Sequence, residues 1–355
     1  MNKTKISAEI VADSISPQGD RLISVLCTFP RIILAEVNTH RMLSKNTSSS
    51  RAIPIKKMIK SVKDDPFIPI AWQKEHTGMQ GTDYFTDDDI PYLNKGWLYA
   101  RDNAVNAAKY LSLAFENEDN SIEGVTKQLC NRLLEPFMWT TMLITGSREG
   151  WNNFFELRNP VYEVGHNTFK SKKEVLDYYS DDPNFPELRR YSDLDWLKIN
   201  KGQAEIHMMA LAECIYDAVN ESTPKQLQAG EWHIPMISDL ESLKLSTDDQ
   251  IKLSVGRAAN TSYTVVGDGK ELTLEHAIKI HDKCVELVHS SVFEHCARAM
   301  SDEEHNRFYK GIFMDMSDTE LENSYVPKSV NGFGWCNNLK GFIPYRYMID
   351  NNLIK

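Results

Sequence analysis

A globular α+β fold is predicted by three observations. Strand-like stretches, Ile6 to Val11 and Leu22 to Cys27, open the chain on either side of the turn signal Ser16-Pro17-Gln18-Gly19-Asp20. Several later segments instead repeat apolar residues at helical spacing. The composition, 41% hydrophobic and 25% charged, belongs to a folded chain and excludes disordered, collagen-like and mucin-like classes. With 355 residues, the chain can bury most of its apolar surface in one large domain with insertions or in two domains.

The elements follow in order. The apolar run from Ile32 to Val37 leads into a polar, hydroxyl-rich segment, Asn38 to Arg51, that ends before Pro54. Residues 61–96, with Pro66, Pro69, Gly78, Gly81 and Asp87-Asp88-Asp89, read as a surface insertion. Trp97 to Phe115 is an amphipathic helix with Trp97, Ala104, Val105, Ala108, Leu111 and Phe115 on one face. A second helical region covers Val125 to Leu134, and a mixed apolar stretch runs from Phe137 to Leu157. Residues 159–200, polar, acidic and aromatic, read as an insertion or lid. Gln203 to Val219 is helical by period, and 221–248 links it onward. The last helix is Leu274 to Val288, with Thr273 as N-cap and Glu275 in its first turn. Residues 301–355 read as a C-terminal extension of a single catalytic domain spanning 1–355.

A net charge of −10 argues against general binding to nucleic acid or a membrane surface, while leaving room for a local basic pocket. Six scattered cysteines without a CxxC fit buried thiols in a reducing cytoplasm. No secretion signal or membrane span is readable, so a cytoplasmic location is expected, in the host if the chain is viral. The histidines lack zinc spacing, and no metal is expected.

Thr39 to Arg51 packs two arginines, a lysine, a histidine, an asparagine and several hydroxyls into thirteen residues. Guanidinium forks, hydroxyls and backbone N–H groups together suit a phosphate. A solvated Ser-rich loop has the same composition, and there is no Walker loop.

Spacing adds a family resemblance. Arg41, seven residues, then Ser49 resembles the second half of the R-H-R-x7-S signature of flavin-dependent thymidylate synthases. Ser44, Asn46 and Arg51 match as well, and Thr28 to Glu36 and Arg51 to Pro54 are similar to the versions carried by bacterial viruses. His76-Thr77-Gly78-Met79-Gln80 resembles a Gly-Met-Gln segment of those versions. Trp151-Asn152-Asn153-Phe154-Phe155-Glu156-Leu157-Arg158 and Gln203-Ala204-Glu205-Ile206 are similar to a second block, here split by roughly forty residues. Ser254 to Tyr263 and His289 to His295 resemble the A-A-R-x-S-[YF] and H-x-[ST]-P-F-E-H elements. Those elements normally come first; their place here reads as a circular permutation.

The resemblance implies a mixed sheet with helices, a homotetramer with shared active sites, and FAD, NADPH and methylenetetrahydrofolate. The implied reaction turns a deoxypyrimidine monophosphate, dUMP, into dTMP without a cysteine nucleophile. It assigns Ser49, Ser50 and Arg51 to the nucleotide phosphate, with Glu36, Thr47 and Ser48 also on the substrate. Arg158 would bind the pyrimidine carbonyl edge, and His289 would sit beside the flavin; these two are the expected catalytic residues. Thr39, His40, Arg41, Asn46, Ser147, Arg148, Asn153 and Ser291 would contact the cofactor.

The sequence departs from the pattern at several places. Thr39 replaces the first arginine of R-H-R, Thr47 a glutamate, Glu36 a glutamine and Ala52 an aromatic residue. Ser147-Arg148-Glu149 stands on an N-A-R triplet, and Thr141 takes the place of a nucleotide-binding arginine. A carboxylate at 36 could accept from an amine such as cytosine N4, so a dCMP substrate or a hydroxymethyl product is the rival chemistry. The rival of another class is an inactive nucleotide-binding scaffold. Taken alone, an arginine placed like Arg158 is more often a surface ion-pair partner than a base reader, His289 reads equally as a helix-end histidine, and His295 as a packed or solvated one.

Overall fold

The computed structural model describes every residue except 1–3, 78–80, 82, 114, 117–121, 181, 183–185, 263–265, 267–271, 309–331 and 355. Gly78-Met79-Gln80 and Tyr263 of the motif blocks lie outside the described residues.

Two apolar strands, β1 (Ser7–Ile15) and β2 (Arg21–Pro30), pair antiparallel around a turn in which Gly19 takes φ +89°. A bulge between Ile10 and Ala12 breaks their register, and the carbonyl of Val11 there accepts from the backbone N–H of Met236. The run after β2 becomes a 3-10 turn and a short helix, α1 (Leu34–Asn38), followed by strand β3 (Ser44–Thr47). Next come α2 (Ile55–Asp64) and α3 (Ile90–Ser112), the latter beginning earlier than its apolar period suggested because Pro91 opens its first turn. The helix expected over Val125 to Leu134 is instead a single α-turn, Lys127–Cys130, and a 3-10 stretch, Asn131–Phe137, that contains Pro136.

The mixed apolar stretch resolves into strand β4 (Trp139–Ser147) running directly into helix α4 (Arg148–Arg158). Helix α5 (Ile206–Glu221) starts where the Glu205 carboxylate accepts from the N–H groups of His207 and Met208. The expected linker carries β5 (Lys225–Gln226) and β6 (Trp232–His233) before α6 (Thr247–Thr261). Helix α7 (Leu274–Glu286) is capped by Thr273 as anticipated. The chain closes with β7 (Ala297–Ala299), the hairpin β8 (Trp335–Cys336) and β9 (Leu339–Lys340), then β10 (Phe342–Pro344) and α8 (Tyr345–Asp350).

The main sheet has the order β3-β4-β2-β1-β5, so β3 is an edge strand. A second sheet is ordered β6-β7-β10. One face of the main sheet carries α4 and α5, packed through Ile23, Val25, Trp151, Phe154, Met208 and Ile215. Each such fully buried side chain contributes about 1.5–3 kcal/mol.

Two segments differ from expectation. The stretch 61–96 is more than a surface excursion: Val62 and Phe67 are fully buried, and Tyr84 enters the main core. Its anchor is His207, which accepts from the Ile70 N–H and binds Glu205 through Nδ1 at 2.6 Å. The C-terminal stretch is also built in, because Trp335, Leu339 and Phe342 are buried. Residues 159–200 have their own small core around Tyr162, Phe169, Val175 and Trp196, fastened to α5 by Lys172 N–H to Glu213. Among the described residues no helix is long and apolar enough to cross a membrane.

Candidate functional site

The edge strand β3 and its flanks, residues 36–51, are hydrogen-bonded to two other motif blocks, at Arg158 and at Ala258 to Ser262. The first cluster forms where α1 ends. Helix α4 carries Arg158 in its last turn, where a cation favours the helix dipole. Its aromatic face, Trp151, Phe154 and Phe155, fixes the helix on the sheet. Arg158 Nε donates to His40 Nε2 at 3.0 Å, and another guanidinium nitrogen donates to Thr39 Oγ1 at 3.3 Å. A third faces Glu36 at 3.6 Å. Because His40 Nε2 accepts, its ring proton must sit on Nδ1. The ring is buried and packs edge-on against Phe154.

Burial first, then the charges of Arg158 and Lys45, push the His40 pKa down to about 4. Lys45 donates to the carbonyls of Val37, Asn38 and His40, a cation closing the end of α1, and burial lowers its pKa to about 8. Burial raises the Glu36 pKa, helped by neighbouring Glu205 and opposed by Arg158. Thr39 accepts from Arg158 at a position where a second guanidinium would repel it.

The second cluster joins β3 to the C-terminal motif blocks. Asn46 Nδ2 donates to the Ala258 carbonyl and to Thr261 Oγ1, and the Ser49 N–H donates to the Ser262 carbonyl at 2.9 Å. Asn46 is therefore buried and engaged in packing α6 against β3. A cavity of about 440 Å³ between α6 and α7 is lined by Asn260, Ser262, His276, Lys283 and His289. His289 itself is exposed, turned out by Val288, which holds the left-handed φ of +53° usually left to glycine. Ser291 is half-buried in the following 3-10 turn.

The third cluster lies beneath the hydroxyl run. Ser48 Oγ meets Thr140 Oγ1 at 2.6 Å, and Ser50 Oγ donates to Glu135 at 2.6 Å. Both serines are buried, and their hydroxyls brace the turn from within. Thr47 Oγ1 donates to the Thr141 carbonyl. Arg31 ties the layer together by donating to the Ser48 carbonyl at 2.7 Å and facing Glu135 at 3.4 Å.

Arg41, Arg51 and Arg148 are exposed and form no ion pair among the described residues. Asn153 is exposed on α4. Ser147 is buried and accepts from the Lys340 N–H at 2.7 Å. No hydrogen bond joins His289 to Arg158 or Arg41 among the described residues; the two expected catalytic residues belong to separate clusters along one strand.

His295 is a packed histidine. Its Nδ1 meets Thr145 Oγ1 at 2.9 Å, in a buried chain continuing through Ser24 to His233 and Ser14. Its Nε2 is buried without a partner, and burial holds its pKa near 3. Sequence reasoning missed Lys45, Glu205, Arg31 and the C-terminal hairpin. Lys45, Glu205 and Arg31 all lie within the motif blocks quoted above, yet none of them carried an assigned role.

Fold and site together define an α+β protein whose edge strand gathers arginines, hydroxyls and a neutral histidine from distant parts of the chain. No family model and no curated protein matches it. Among solved structures it is similar to a UMP/dUMP methylase, PolB, from Streptomyces cacaoi bound with 5-Br dUMP. That match has 12% identity and TM-score 0.40, over 62% of this chain and 92% of that one. It is also similar to the flavin-dependent thymidylate synthase ThyX from Helicobacter pylori complexed with FAD and dUMP. Here identity is 15% and TM-score 0.27, over 56% of this chain and 67% of that one.

Proposed function

We propose that this protein is an enzyme of the flavin-dependent thymidylate synthase type. It would transfer a one-carbon unit from methylenetetrahydrofolate to C5 of a deoxypyrimidine monophosphate, dUMP to dTMP, with reduction through FAD by NADPH. The observation that carries this reading is the Arg158–His40 hydrogen bond, which unites two motif blocks 118 residues apart. The third block supports it through Asn46 and Ser49.

The donor set suits the cofactor: Arg41 and Arg148 are unpaired cations fit for its phosphates. When bound, the flavin supplies the hydride chemistry. The chain's own residues do the rest. Arg158, aimed by His40, Thr39 and Glu36, would grip the pyrimidine carbonyl edge and stabilise negative charge at N3. Its charge is permanent and its fork matches planar acceptors. Ser49 and Arg51 would hold the nucleotide phosphate, with Ser48 and Ser50 bracing that turn from beneath. His289 would stand beside the flavin. Burial raises the thiol pKa of Cys27, Cys214, Cys284, Cys296 and Cys336, which suits a reaction without a thiolate nucleophile. Separate Arg158 and His289 clusters fit a homotetramer in which a second copy completes each site.

The test is direct. The purified protein should be yellow and bleach with NADPH, and with methylenetetrahydrofolate and dUMP it should yield a nucleotide of the mass of dTMP. A protein that binds no flavin, or forms no product from any pyrimidine nucleotide, would leave the scaffold reading standing. A cytosine substrate is favoured by one observation: the Glu36 carboxylate lies 3.6 Å from Arg158, where it can accept from an exocyclic amine. Running dCMP alongside dUMP, and weighing products for methyl against hydroxymethyl, separates the two.

A further inference from the structure

The C-terminal hairpin lies against both elements expected to hold the cofactor. Asn338 Nδ2 donates to Ser44 Oγ at 2.8 Å, on β3. The Lys340 N–H binds Ser147 Oγ at 2.7 Å, and its ammonium faces Glu149 at 2.8 Å and Asp20 at 3.1 Å. Asn337, in the two-residue turn between β8 and β9, holds a left-handed φ of +53° and leaves its amide exposed. The result is a polar cleft of about 410 Å³ between Arg41, Glu294, Asn337, Asn338, Arg346 and Asp350.

Charge decides what such a cleft suits. Arg346 is already paired with Glu294, and with Asp350 at 3.4 Å. Arg41 is the unpaired cation at this cleft among the described residues. Two carboxylates would repel a polyphosphate lying along the whole cleft. They match a group that is anionic only at one end: carboxylates and amides accept from and donate to ribose hydroxyls and an amino-purine, while Arg41 meets the phosphate.

We infer that the segment Trp335–Asp350 forms one wall of the flavin site, and that this cleft receives the adenosine half of the dinucleotide, with Asn337 and Asp350 among its binding residues. This rests on the flavin reading above. It adds a wall from a part of the chain that the motif resemblance does not reach.

The experiment titrates the full-length apoprotein with FAD and, separately, with FMN, which lacks the adenosine half, following flavin fluorescence. Two variants are compared with the unaltered protein. Asn337→Gly removes the amide yet keeps the left-handed turn, and Asp350→Ala removes an exposed carboxylate; circular dichroism melts confirm that each is folded. FAD affinity should fall at least tenfold in one or both folded variants, with FMN affinity unchanged. Unchanged FAD affinity in both, or an equal loss for FMN and FAD, overturns the inference while leaving the flavin reading intact. An unaltered protein that binds neither flavin overturns both.

Discussion

Replacing Arg158 by alanine tests the site at its centre and needs no ligand. In the fold, His40 titrates near 4 rather than 6.5, held down by burial and then by the Arg158 charge. Two unit charges about 4 Å apart interact by roughly 4 kcal/mol at an effective dielectric near 20. Arg158 is 22% exposed, and solvent screening reduces that interaction to about 1.4 kcal/mol, or one pKa unit. In Arg158→Ala the His40 pKa should therefore rise to roughly 5, with burial accounting for what remains of the depression. Stability follows the same proton. Between pH 4 and 6.5 the unfolded chain binds it and the native chain does not, so His40's contribution is complete above pH 6.5 and is lost as pH falls toward 4. The slope is at most about 1.4 kcal/mol per pH unit, and it should span a narrower window in the variant. Long-range 1H–15N NMR of the imidazoles gives the pKa and the Nδ1–H tautomer, and urea melts from pH 4 to 8 give the slope. A His40 pKa that moves by less than about 0.3 units, or an Nε2–H tautomer in the unaltered protein, would refute the geometry assigned to this pair.

Three further perturbations address packing and specificity. At Gly256 in α6, a Cβ would lie 2.7 Å from Ala277 Cα and 3.1 Å from its carbonyl oxygen, so Gly256→Ala should cost about 1–3 kcal/mol in urea denaturation as α6 and α7 separate. Val288→Gly relieves the left-handed strain beside His289 and, after the entropy glycine loses, should add about 0.5–1 kcal/mol; a lower denaturation midpoint would contradict it. If Glu36 reads an exocyclic amine, Glu36→Gln should move the kcat/KM ratio toward dUMP over dCMP by roughly tenfold, a base contact being worth about 1–3 kcal/mol.

Much of the architecture was legible locally. The β1–β2 hairpin announced itself by two apolar runs around a Gly-containing turn, and α7 by its period and its Thr273 cap. The stretch Phe137 to Leu157 hid its division, because β4 is buried along most of its length and shows no alternation. The expected extension after residue 301 proved to hold core strands, since Trp335 and Phe342 are spread too thinly in sequence to mark a period.

By itself the sequence determined which chemistry was on offer: the spacing from Arg41 to Ser49, the arginine closing an aromatic helix, and the histidines after α7. These are local properties of a few residues each, set by composition and interval. Tertiary structure alone decided how those groups are used. It turned Ser48, Ser50 and Asn46 inward as braces, made His40 a neutral acceptor for Arg158, and brought the last hairpin against β3 and β4. The physical reason is that burial and hydrogen-bond partnership arise between residues distant in the chain, and they, not residue type, set whether a polar group is free to meet a ligand.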